Sequence, residues 1–115
     1  MIPDVRIRFQ FNGDARELVF VEVPLAAWSD LRRSVELTPR KLMEGLEDRS
    51  DLDSMSALIW LERVATGHDL GRFVPFRDSL SPQDDLALAG LKVGPKVLFG
   101  EFGGDQDGPP TSGTE

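Results

Sequence analysis

VRIRFQFNGDARELVFVEV, residues 5–23, is the stretch whose reading decides the fold. Val5, Ile7, Phe9 and Phe11 alternate with Arg6, Arg8 and Gln10. That period of two belongs to a strand with one face on a core and one in water. Asn12 and Gly13 both tolerate positive φ, so they mark a tight turn. Leu18 to Val23, rich in β-branched residues and phenylalanine, reads as the return strand. A two-stranded hairpin is marginal in water, so the chain downstream must cover its apolar face.

Working outward, residues 24–67 read as three helices. Pro24 suits a first helical turn, where its missing N–H costs nothing. Ala27, Trp28, Leu31 and Val35 then share one face of a helix at about 25–35. Thr38-Pro39 is an N-cap followed by proline at the first helical position. Leu42, Met43 and Leu46 supply the stripe of a second helix, 38–48. Asp53 or Ser54 is read as the cap of a third, 53–66. That helix is apolar nearly all round from Met55 to Ala65 and stops at Gly67. Further on, Phe73, Val74 and Phe76 around Pro75 read as a short extended piece. Ser81-Pro82-Gln83-Asp84 has the pattern of a helix start, giving a fourth helix at 82–90 that ends at Gly90. Val93-Gly94-Pro95 reads as a turn into a last strand, Lys96 to Phe99. Residues 100–115 hold five glycines, two prolines, four acids and no base. This composition predicts a flexible tail. The expected architecture is α+β: one domain, 1–99, with the N-terminal hairpin packed on three to four helices, then a disordered acidic appendage.

The 115 residues include 20 acids, 13 bases, one histidine and no cysteine, for a formal charge of −7. The absence of cysteine excludes disulfides, thiolate metal sites and a thiol nucleophile. The acidic balance argues against coating nucleic acid or an anionic membrane. No apolar run nears the roughly 18 residues of a membrane span. Met-Ile-Pro-Asp has no basic or apolar leader pattern, so a soluble cytoplasmic protein is expected.

Candidate chemistry is sparse. His68, the sole imidazole, follows a helix stop and reads as a partner of the helix's negative end. The carboxylate pairs Asp51/Asp53, Asp84/Asp85 and Asp105/Asp107 read as helix caps and solvated tail. A calcium loop beginning at Asp48 fails because its sixth position is Asp53, not glycine. Gly100-Glu101-Phe102-Gly103-Gly104 lacks the Lys-Ser/Thr of a phosphate loop. Arg32-Arg33 and Arg40-Lys41 are answered by nearby acids. No catalytic site, cofactor site or metal site is expected. An interaction protein remains.

Several elements together resemble a known family: the hairpin Val5–Val23, the helix Trp28–Val35, Leu37-Thr38-Pro39-Arg40-Lys41-Leu42, the Met-x-Ala-Leu-Ile-Trp-Leu-x-Arg helix at Met55–Arg63, and Phe73-x-x-Phe76. In this organisation the chain resembles the tail assembly chaperones of long-tailed bacteriophages, especially those infecting actinobacteria. The resemblance covers about residues 5–80, with the acidic tail alike in composition only. It implies a chaperone that binds the tape measure protein and helps deliver tail tube protein. It further implies a place in the host cell cytoplasm and not in the mature virion. The resemblance also implies a frameshifted longer form, which many members of that family have, and Gly94-Pro95-Lys96 is compatible with a slippery codon run, as it is with an ordinary turn. Met43 and Met55 are candidate adaptable partner-binding residues, and Phe73 and Phe76 candidate members of an exposed apolar lip. A client helix would lie in a groove between helices. Self-association is left open.

The alternative is a β-grasp, ubiquitin-like interaction module, supported by the hairpin and by Asp85–Gly94 leading into a strand. A small acid-catalysed enzyme using Asp84 and Asp85 is a remoter alternative, because no partner groups are visible. Central pairing of Lys96–Phe99 with Val5–Phe11 would favour the β-grasp. Dominant helices with a loose C-terminal part would favour the chaperone. Deletion of Gly100–Glu115 is expected to leave folding intact.

Overall fold

The structure, a computed structural model, describes residues 2–48 and 51–100. Its elements are β1 (Val5–Phe11), β2 (Asp14–Val19), α1 (Leu25–Val35), α2 (Pro39–Asp48), α3 (Leu52–Ala65), α4 (Phe73–Ser79), β3 (Leu86–Val93) and β4 (Lys96–Gly100). The fold is α+β, a four-stranded antiparallel sheet with four helices.

The hairpin forms where its alternation placed it. Phe11 pairs with Asp14 across a two-residue loop, and Asn12 and Gly13 both have positive φ (53° and 87°). Those angles are the ones a type I′ turn demands. Val5, Ile7, Phe9 and Phe11 are buried. The return strand, however, is Asp14–Val19 and not Leu18–Val23. The chain leaves the sheet through a 3₁₀ turn at Phe20–Glu22, which buries Phe20 against Trp28 edge-to-face at 5.0 Å.

The sheet order is β2-β1-β3-β4. β3 lies antiparallel to β1, with Phe11 opposite Leu86, Phe9 opposite Leu88, Ile7 opposite Leu91 and Val5 opposite Val93. A bulge at Ala89 shifts the register between Arg8 and Phe9. It keeps leucines on the core face on both sides of the irregularity. Thus the helix expected at 82–90 is absent. Ser81 and Asp84 do make the reciprocal contacts of a helix start: Ser81 N donates to Asp84 Oδ2 (2.8 Å) and Asp84 N to Ser81 O (3.0 Å). Only one turn follows. Asp85 O then accepts from Asn12 N (2.8 Å), Asp85 N donates to Asn12 Oδ1 (2.8 Å), and β1 captures the chain as a strand.

β4 pairs with β3 through Val93–Lys96 and Leu91–Phe99, across the two-residue turn Gly94-Pro95. Among the described residues it does not pair with β1 and every pairing is antiparallel, so the central Lys96–Phe99 to Val5–Phe11 pairing that would favour a β-grasp is not formed. The C-terminal part as far as Gly100 is ordered strand, which departs equally from the loose segment that would have favoured the chaperone. Gly100 belongs to this strand, with φ 77°, and a Cβ added there would run into Ala89 O and Gly90 Cα. The proposed deletion at Gly100 would therefore cut into the sheet, and the flexible-tail reading of 101–115 lies outside the described residues.

The helices cover one face of the sheet. α3 is the hub, with Leu58, Ile59, Trp60 and Leu61 buried. Thr38 caps α2 through Lys41 N (3.2 Å), as its position before Pro39 predicts. The cap of α3 is Asp51 rather than Asp53 or Ser54: its carboxylate accepts from Asp53 N (3.2 Å) and Ser54 Oγ (2.7 Å). Ser54 in turn packs on Gly45 of α2, where an added Cβ would lie 2.8 Å from Ser54 Cβ. α3 ends at Gly67, with φ 98°.

The segment expected to be extended around Pro75 is instead α4. Phe73 is its first residue, so Pro75 stands third, where an N–H would have no intrahelical acceptor anyway. Seven residues make a marginal helix alone. Asp30 of α1 steadies it by accepting from Phe73 N at 2.8 Å, and the Phe73 ring meets Trp60 edge-on at 5.6 Å.

Candidate functional site

A broad concavity lies between the first half of α3, the end of α4 and the connection into β3, and encloses about 910 Å³. Phe11 and Ile59 form its floor. Leu52, Met55 and Ile59 line it from α3 at positions i, i+3 and i+7, one helix face. Leu52 is 72% exposed, large for a leucine beside a buried floor. Leu80 and Leu86 close the other side.

Charge gathers on the rim. Asp53, Asp78, Asp84 and Asp85 stand there with Arg77, four acids to one base. Arg77 Nη1 donates to Asp53 Oδ1 (2.9 Å) and its Nε to Asp78 Oδ1 (3.1 Å), tying α4 to α3. These bonds, Asp53's first, hold the guanidinium still more firmly protonated than usual. Asp84 accepts from Asn12 Nδ2 (3.1 Å) and Ser81 N (2.8 Å). Both bonds favour its anion, so its carboxyl titrates below the ordinary carboxylate range.

The candidate partner-binding residues are spread apart. Only Met55 lines the groove. Met43 on α2 and Phe76 on α4 are half-buried and pack on the core. Phe73 is fully buried, so the reading of Phe73 as an exposed lip is corrected: beginning α4 turns its ring onto Trp60 and away from solvent. Leu52 and Arg77 line the groove without having stood among the sequence candidates. The available signal was Leu52 standing three residues before Met55, on the same helical face.

The carboxylate pairs resolve into structural duties. Asp51 caps, Asp53 pairs with Arg77, and Asp84 closes the turn beside Asn12. Asp105 and Asp107 lie outside the described residues. His68 Nδ1 sits 3.2 Å from both Thr66 Oγ1 and Arg63 O, at the carbonyl end of α3. Among the described residues no group of three or more acidic or imidazole side chains is placed to hold a metal ion, and no helix is long and apolar enough to cross a membrane.

Elsewhere, a second hollow of about 410 Å³ runs between α1 and the loop after α3, past Trp60 and His68. Other exposed apolar residues are Val21 and Leu25 near the start of α1, and Val97 and Leu98 on β4. Compared with protein-family models, with characterised proteins and with solved structures, the chain matches none.

Proposed function

We propose that this chain is a non-catalytic client-binding protein, and specifically a tail assembly chaperone of a long-tailed bacteriophage. In this reading it holds the tape measure protein soluble in the host cytoplasm while tail tube protein is added, and does not remain in the virion. One observation carries the binding part: an open groove with an apolar floor, three of whose four rim carboxylates are engaged in structural bonds. Asp53, Asp78 and Asp84 each hold a defined partner within the chain. A rim so committed fits a surface that receives another protein better than one that moves protons. The assignment to phage tails rests on the sequence resemblance of residues 5–80.

The test is co-expression of the chain with the tape measure protein and the tail tube protein encoded beside it. Support is a tape measure protein that becomes soluble and co-purifies with the chain. A tape measure protein equally insoluble with and without the chain, and absent from its eluate, overturns the proposal.

A further inference from the structure

Resting on the client-binding reading, we infer that the groove between α3, α4 and β3 takes a basic amphipathic helix from the partner protein. Two independent features favour that occupant.

The first is spacing. Leu52, Met55 and Ile59 offer a stripe along one face of α3, the complement of an i, i+3/i+4, i+7 face on a second helix. Met55 contributes a side chain that repacks at low cost. The second is charge. The rim carries four acids, and its one base, Arg77, is already held by two of them. Lysines or arginines flanking the partner's apolar face would meet Asp84 and Asp85. The same rim disfavours an acidic partner and a second copy of this chain docked groove to groove, since like charges would face one another.

The probe is a synthetic amphipathic helical peptide with one leucine face flanked by lysines, titrated into the ¹⁵N-labelled chain, beside a counterpart with glutamate replacing each lysine. The lysine peptide is expected to shift the amides of Leu52, Met55, Leu80 and Asp85, and to bind more weakly as salt rises. Leu52→Glu and Asp85→Lys are each expected to weaken it by about tenfold. Both positions are exposed, so the fold persists, and an unchanged circular dichroism spectrum verifies that. Leu25→Glu, on α1 and outside the groove, is expected to leave affinity unchanged. Equal binding of the glutamate peptide, indifference to Leu52→Glu and Asp85→Lys, or concentration-dependent self-association mapping to the same amides each overturns the inference. Failure of the peptide alongside retained capture of the tape measure protein sinks the groove assignment alone. The converse result sinks the phage reading and leaves the groove standing.

Discussion

Asn12 serves two distant parts of the chain at once. Its φ of 53° makes the hairpin turn, and its side chain and N–H together bond Asp84 and Asp85, more than seventy residues on. Asn12→Gly keeps the backbone freedom but removes both side-chain bonds. It should lower unfolding free energy by about 1 kcal/mol in urea denaturation. Asn12→Ala adds left-handed strain and should cost about 2 kcal/mol. The same bonds set a pH signature. Asp84 titrates lower in the folded chain than in the unfolded one. Its stabilising contribution is therefore present above the ordinary carboxylate value and is lost as pH falls through the folded value, below about pH 4. In Asn12→Gly the carboxyl loses its strongest reason to stay ionised, so the gap between the acid denaturation curves of wild type and variant should narrow below that pH, leaving the part due to the Asp85 N bond. Curves that stay parallel would show that Asn12 does not act through Asp84.

At the scale of elements, α3 and β2 are joined by more than apolar burial. Arg16 Nη1 reaches Glu62 Oε1 at 2.9 Å, and the Glu62 side chain is only 8% exposed. Removing one member of such a pair leaves a desolvated charge, which outweighs the modest value of the pair itself. Arg16→Ala should destabilise by about 3 kcal/mol in chemical denaturation. The double replacement Arg16→Leu with Glu62→Leu should recover most of that loss. A single variant within a few tenths of wild type would mean that solvent already reaches Glu62. The elements also show which signals were legible. Alternation at Val5–Phe11, Asn12-Gly13, Thr38-Pro39 and Gly67 are local instructions that nothing overrides. Ser81-Pro82-Gln83-Asp84 is a true local signal for one helical turn, but Asn12 and the open edge of β1 outcompete its continuation. The Leu86-Ala87-Leu88-Ala89 alternation, a period of two, carried the strand signal that the helix-start pattern obscured. α4 hid behind Pro75, since proline argues against helix everywhere except the first turn, where it stands. The groove was illegible for a different reason. Leu52, Arg77, Asp84 and Asp85 come from three separate segments, and only the tertiary arrangement brings them onto one rim.

For the molecule as a whole, the two edges of the sheet are treated unequally. β2 presents charged residues, and Glu17 lies within 3.7 Å of both Arg6 and Arg8. β4 presents Val97 and Leu98, each 39% exposed. Charge on an edge discourages strand addition, and apolar edge residues invite it. Two truncations separate the sheet from the sequence that follows it. A chain ending at Gly100 should keep the melting temperature of the full chain. A chain ending at Pro95 uncovers Gly90–Val93 of β3 and should aggregate on heating, seen as light scattering before unfolding is complete. Equal behaviour of both truncations would show that β4 adds nothing to the sheet.

The neighbour relation between β1 and β3 also sets an order of events during synthesis. Residues 5–11 emerge from the ribosome early, yet their second partner, residues 86–93, is among the last described segments to follow. The hairpin can close at once, but Ile7 and Phe9 keep one flank unpaired until nearly the whole domain has been translated. Closure of the sheet thus waits on chain order, and the newborn chain carries a strand with one unpaired flank until residues 86–93 emerge.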